Sequence, residues 1–170
     1  MEDSELKVRL SGLSTGEHSF KYKLGQAFFS SFESELLEKG EVDVDLILLK
    51  KETHYELTFD FSGWIASSCD RCLVDYHHPI SSTNKLFAKL GEDYQELSDE
   101  MVVIPRSEHE LDAGQWVFEF ILMAVPMKKV GCEVLNDDSI CDEKVLERTE
   151  EENAEKENPI WDALKGINKN

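Results

Sequence analysis

Alternation of apolar and polar side chains dominates the first ninety positions. Leu6, Val8 and Leu10 alternate with Lys7 and Arg9, and Phe20, Tyr22 and Leu24 alternate with Lys21 and Lys23. Each segment predicts a half-buried strand, because successive strand side chains point to opposite faces. Between Ala27 and Leu37 the period lengthens. Phe28, Phe29, Phe32, Leu36 and Leu37 stand at helical spacing, and Gly40 after Lys39 reads as a C-terminal stop.

The two-residue period then returns. Val42, Val44, Leu46 and Leu48 alternate with Asp43 and Asp45, residues 50–53 make a polar turn, and Tyr55, Leu57, Phe59 and Phe61 run outward again. Gly63 predicts a bulge or bend in a strand that continues towards Cys69. Ile80, Leu86, Ala88 and Leu90 share one parity on the return, which puts Cys69-Asp70-Arg71-Cys72 at the tip of a long hairpin. Residues 91–100 read as an acidic loop, and Met101 to Ile104 as a short strand. Asp112 is placed to cap a helix carrying Trp116, Val117, Phe118, Phe120, Ile121, Leu122 and Val125, with Glu119 its only charge and Pro126 its end. A helix that is apolar nearly all round predicts a buried one.

Residues 147–158 contain no large apolar side chain and read as a solvated helix or linker. Asn158-Pro159 offers an N-cap and a first helical position, which would set Ile160, Trp161, Leu164 and Ile167 on one side of a short helix. The whole pattern predicts one α+β domain over 1–146, followed by an acidic linker and short terminal helix over 147–170. The domain is expected to be a strongly bent antiparallel sheet or partial β-barrel packed on the buried hydrophobic helix.

Charge narrows the function classes. The 170 residues include 36 Asp+Glu against 18 Lys+Arg, a formal −18. Ten basic face fifteen acidic side chains in 1–90, and eight face twenty-one in 91–170, so the acidity sits mostly in the second half. Such a balance opposes the counterion-release term that drives nucleic-acid binding, so any RNA contact needs a local basic patch. The acidic, polar start lacks the features of a secretory signal, and the stretch from Phe120 to Val125 is far too short to span a bilayer. Both point to the cytoplasm, where four cysteines are expected as thiols or metal ligands.

Two residues between Cys69 and Cys72 let both thiolates face one cation, the geometry of a zinc knuckle. A closed structural zinc needs two more ligands. Cys132 and Cys141 supply them in number, but 59 residues separate Cys72 from Cys132 and eight separate Cys132 from Cys141, which matches no standard ligand spacing. His77 and His78 are spare candidates, and a hairpin turn of ordinary reduced thiols is the alternative. A thioredoxin-like role is disfavoured because that motif belongs between a strand and a helix. If the two N-terminal strands pair as a hairpin, Lys7, Arg9, Lys21 and Lys23 share an outer face, with Lys85 and Lys89 as neighbours, and can grip a few phosphates. The competing reading is a solvated, edge-protecting face. Histidines 18, 54, 77, 78 and 109 fall in no catalytic motif, and there is no phosphate-binding glycine loop or nucleophile elbow. No residue stands out as catalytic.

Cys69-Asp70-Arg71-Cys72-Leu73, the helix ending Ala124-Val125-Pro126, Cys132 and the terminal Asn158-Pro159-Ile160-Trp161-Asp162-Ala163-Leu164 together resemble, in order and spacing, the YceD family of large ribosomal RNA subunit accumulation proteins. The resemblance spans most of the chain and rests chiefly on the Cys-x-Arg-Cys-Leu turn combined with the Pro-x-Trp-x-x-Leu end. It implies a bacterial or plastid protein linked to accumulation or processing of the large-subunit ribosomal RNA and not established as an enzyme, with Cys69, Arg71, Cys72 and Leu73 as its signature turn. The expected function is therefore a non-catalytic ribosome-assembly factor with one structural zinc as a candidate cofactor. Its expected partners are assembly proteins or the pre-ribosomal particle, with Trp161 and Leu164 as candidate partner-binding residues. A general protein-binding adaptor and a metal-dependent nuclease with an unrecognised site are the alternatives.

Overall fold

The computed structural model describes residues 6–32, 34, 36–137, 141, 145 and 147. The element order is β1 (Lys7–Arg9), β2 (Gly16–Leu24), α1 (Gln26–Ser30), β3 (Gly40–Lys50), β4 (His54–Ser68), β5 (Asp75–Gly91), β6 (Gln95–Ser98), β7 (Met101–Pro105), β8 (Glu110–Asp112), α2 (Gly114–Ala124) and α3 (Gly131–Leu135). This is an α+β chain dominated by one six-stranded sheet of order β2-β3-β4-β5-β7-β6, with β1 and β8 forming a separate two-stranded ribbon.

The alternating segments fold as their pattern requires. Strands β2 to β5 form an antiparallel meander, and the β4–β5 ladder runs without interruption from His54↔Lys89 to Ser68↔Asp75. One face collects Val42, Val44, Leu46, Leu48, Tyr55, Leu57, Phe59, Phe61, Ile65, Ile80, Leu86 and Ala88, all buried. Helix α2 covers that face through Trp116, Val117, Phe118, Phe120 and Ile121, and the Phe59 and Phe120 rings meet at 5.8 Å. Asp112 is not itself the cap: it ends β8 one residue before the N-cap, Ala113, which makes no side-chain cap bond, and its Oδ1 accepts the Gly114 N–H at 2.9 Å. The helix is not buried all round, however, because Gln115, Glu119 and Met123 at four-residue spacing form a strip open to solvent. Gln115 donates along that strip to Glu119 at 2.6 Å.

Five expectations change. The sheet, expected as a bent antiparallel sheet or partial barrel, is open, with β2 and β6 at its two ends, and is mixed rather than wholly antiparallel because β7 lies parallel to β5. With α2 covering the apolar face, the sheet has no need to close on itself. The helix expected over 27–37 spans only Gln26–Ser30, whose Phe28 and Phe29 already bury its apolar payload, and Gly40 opens β3 instead of stopping a helix. The acidic loop of 91–100 contains β6, a four-residue exposed strand whose polar side chains suit a sheet edge. Gly63 marks no bulge. It pairs with Val42 in unbroken register, and a Cβ there would lie 2.1 Å from the Glu41 carbonyl oxygen, so its missing side chain permits a close backbone approach. Finally, β1 pairs with β8 and β2 with β3, so the two N-terminal strands are not a hairpin.

Among the described residues no helix is long and apolar enough to cross a membrane. The terminal segment carrying Trp161 and Leu164 lies outside the described residues.

Candidate cysteine site

The last rungs of β4 and β5 set the tip of the long hairpin where sequence placed it. Across its base Ser68 Oγ donates to Asp75 Oδ1 at 2.6 Å. Within the turn the Cys69 N–H donates to the Val74 carbonyl and the Leu73 N–H to the Cys69 carbonyl, both at 2.9 Å. Closing a turn this tightly requires one residue in the left-handed region, and Leu73 takes it with φ 62°. That conformation costs a residue with a Cβ about 1–2 kcal/mol, and Leu73 recovers little of it by packing since it is 72% exposed. Leu73→Gly is therefore expected to stabilise the chain by about 0.5–1 kcal/mol, the relief of strain exceeding glycine's entropy cost. Thermal unfolding checks this; a lower melting temperature would mean the side chain is held by packing.

The turn is clamped to a distant segment. Asp70 donates its N–H to the Lys129 carbonyl at 2.7 Å, and its Oδ2 accepts the Lys129 N–H at 2.6 Å. This reciprocal pair lays residues 129–132 across the hairpin tip. Gly131 then donates its N–H to Cys69 Sγ at 3.3 Å, and a Cβ on Gly131 would meet the Tyr76 ring at 3.0 Å. Only glycine lets the backbone come that near.

All four cysteines meet here. Cys69, Cys72, Tyr76, Val130 and Cys132 form a small buried cluster apart from the main core, with Val74 and Cys141 packed against it. Cys69, Cys72 and Cys132 are buried and Cys141 is half-buried, all of them free thiols. Cys72 lies beside Cys69, and Cys141 beside both Cys132 and Cys72. The contacts are pairwise. Among the described residues no three His, Cys, Asp or Glu side chains are grouped as a ready metal-ligand set.

Two opposing effects act on Cys69. Burial pushes its thiol up, but the backbone N–H groups of Cys72, Arg71 and Gly131 and the Cys72 side chain outweigh burial and bring it down to about 7. Cys141 moves the other way, raised to about 12 by the adjoining Cys132 side chain, by burial and by the Cys72 side chain. Tyr76 is raised by burial and by the nearby Cys69, Asp70 and Cys132.

The spare histidines are used otherwise. His78 is buried with Nδ1 at 2.8 Å from the Tyr76 hydroxyl, and burial followed by the Lys129 charge lowers its pKa. His77 stacks on Trp64 at 3.6 Å between ring centroids. Sequence reading missed Gly131, Tyr76 and the Asp70 clamp. A glycine beside Cys132 was the one local sign of a second sulfur-binding backbone; nothing local linked Asp70 to Lys129.

The candidate basic patch is divided. Lys21 and Lys23 stand opposite Asp45 and Asp43 in the β2–β3 register and pair with them at 2.8 Å each. Those carboxylates, by hydrogen bond and charge, raise both lysine pKa values. Lys7 and Arg9 belong to the β1–β8 ribbon, where Arg9 Nε approaches Ser11 Oγ at 3.4 Å. The Lys7 carbonyl does accept the Tyr22 hydroxyl at 3.0 Å, so ribbon and sheet touch.

The sequence profile of the family described as "Large ribosomal RNA subunit accumulation protein YceD" matches residues 57–168, a stretch that contains all four cysteines, and the chain belongs to that family. No curated protein and no solved structure gives a significant match.

Proposed function

We propose that this member of the YceD family is a non-catalytic factor that supports accumulation and processing of the large-subunit ribosomal RNA during ribosome assembly. The observation that carries the reading is the family match over 57–168, which runs from β4 through the cysteine turn, α2 and α3 to the terminal segment. Contact with the maturing particle is through protein rather than through phosphate. A formal charge of −18 opposes polyanion binding, and two of the four candidate cations already sit against aspartates. Leu73 at the exposed turn, together with Trp161 and Leu164, offers apolar side chains to such a partner.

Depletion in the source cell tests this. The ratio of large- to small-subunit ribosomal RNA is expected to fall and to be restored by the intact chain. Lys21→Gln with Lys23→Gln is expected to restore it equally, whereas a chain ending at residue 158 is not. An unchanged ratio on depletion overturns the role. Failure of the lysine variant would move the contact to RNA, and cleavage of ribosomal RNA by the purified protein with a divalent metal would make it a nuclease.

A further inference from the structure

We propose that the groove between β6, β8 and the first turn of α2 is a docking site for an extended, arginine- or lysine-rich segment of another protein. The inference gives a place to the protein contact described above without depending on the ribosomal role. It rests on the combination of a groove's shape and its charge. The groove holds about 420 Å³ and has an apolar floor: Ile104, Leu111 and Trp116 line it, all three of them buried residues. Its rim is acidic. Glu96 comes from β6, Glu108 from the turn before β8, and Glu110 and Asp112 from β8 itself.

Much of that charge has no cation against it. Lys7 and Arg9 face Asp112 and Glu110 across the β1–β8 ribbon, so those two carboxylates have cations nearby. Among the described residues, however, no lysine, arginine or histidine forms an ion pair with Glu96, Glu108 or Glu119, the last of which stands on α2 beside the groove-lining Gln115. The effect is visible at Tyr94, whose hydroxyl donates to Glu96 Oε1 at 2.7 Å. Burial, that bond and the Glu96 and Glu119 charges push its pKa to about 12. Tyr94 therefore stays neutral, and its half-exposed ring is a surface against which a guanidinium or ammonium can lie.

These features select the occupant. An apolar floor takes the methylene stem of an arginine or lysine while the carboxylates of the rim take its charged head. The acids are spread over β6, β8, α2 and the connecting turn rather than gathered at one point, which suits repeated cations along a chain better than a single ion. The outer edge of β6 borders the groove, and among the described residues no strand pairs with it. An extended segment lying along that edge would send every second side chain towards the groove, because strand side chains alternate. A second copy of this chain is a poor occupant, since it brings a formal −18 of its own, and the acidic segment 147–158 is poor for the same reason.

The test is a fluorescence-anisotropy titration of the full chain into a labelled synthetic peptide of alternating arginine and threonine. The peptide is expected to bind, and one of alternating aspartate and threonine is not. Glu96→Gln with Glu108→Gln should weaken binding about tenfold, whereas Glu17→Gln with Asp60→Asn, which removes the same charge from exposed positions elsewhere on the sheet, should weaken it less than about twofold. Glutamine at 96 still accepts the Tyr94 hydroxyl, so circular dichroism should stay native. Equal weakening by the two pairs would reduce the attraction to net charge and overturn the site. So would a basic peptide that does not bind, whether the groove is then filled by a second copy, by the terminal segment or by solvent. Because the probe is synthetic, either result leaves the ribosomal role to be decided separately by depletion.

Discussion

Phe59→Ala is expected to lower the melting temperature by roughly 10–15 °C, the counterpart of about 3–5 kcal/mol lost when a fully buried phenylalanine is truncated. Phe59 is 0% exposed and lies in β4, which is flanked on both sides within the sheet, and its ring meets Phe120 of α2. Removing it opens a cavity at the junction that holds helix to sheet, where neither element can collapse without breaking its own hydrogen bonds. Chemical denaturation followed by circular dichroism measures the loss. A change below about 1 kcal/mol would mean that α2 does not pack on this strand as described.

The second large effect is expected from the smallest substitution. Gly63→Ala adds one methyl group at a point where a Cβ would sit 2.1 Å from the Glu41 carbonyl oxygen and 2.8 Å from the Val42 Cα. Those atoms are backbone of the neighbouring strand and cannot swing aside as a side-chain end would. Strand β3 has to move off β4, and overpacking of this kind costs about 1–3 kcal/mol or more. Amide exchange should locate the damage in the Glu41 to Val44 rungs, leaving the far end of the ladder near Lys50 and Tyr55 protected. An alanine tolerated at the modest cost of a bulge position would restore the reading that the structure displaced.

The two positions show where local pattern is informative. Phe59 belongs to an alternating run, and its burial follows from the period alone, since one face of a strand in a sheet must leave water. Gly63 carries no side chain to speak for it. A glycine in a strand is compatible with a bulge, a bend or a close approach, and only the neighbour across the ladder decides which. The same division holds at the cysteines. The Cys69 to Cys72 turn and its place on a hairpin were readable, because both strands flanking it are strongly periodic. The arrival of Lys129, Gly131 and Cys132 was not, since a contact across 59 residues has no spacing rule to announce it. The division of the basic patch was hidden for a related reason: alternation identifies the outer face of a strand but not the strand beside it, and that neighbour supplied Asp43 and Asp45.

From sequence alone came the α+β class, the strand parities, the helix following Asp112, the hairpin bearing the cysteine turn and the family. These are properties of short windows and motifs, in which side-chain period and turn chemistry act between near neighbours. Tertiary structure alone decided that β7 joins β5 in parallel, that β1 leaves β2 for β8, that the sheet stays open, and that four cysteines meet at one end of it. Those outcomes depend on which apolar faces and backbone donors find each other after collapse, a choice made by packing over the whole chain and written in no single segment of it.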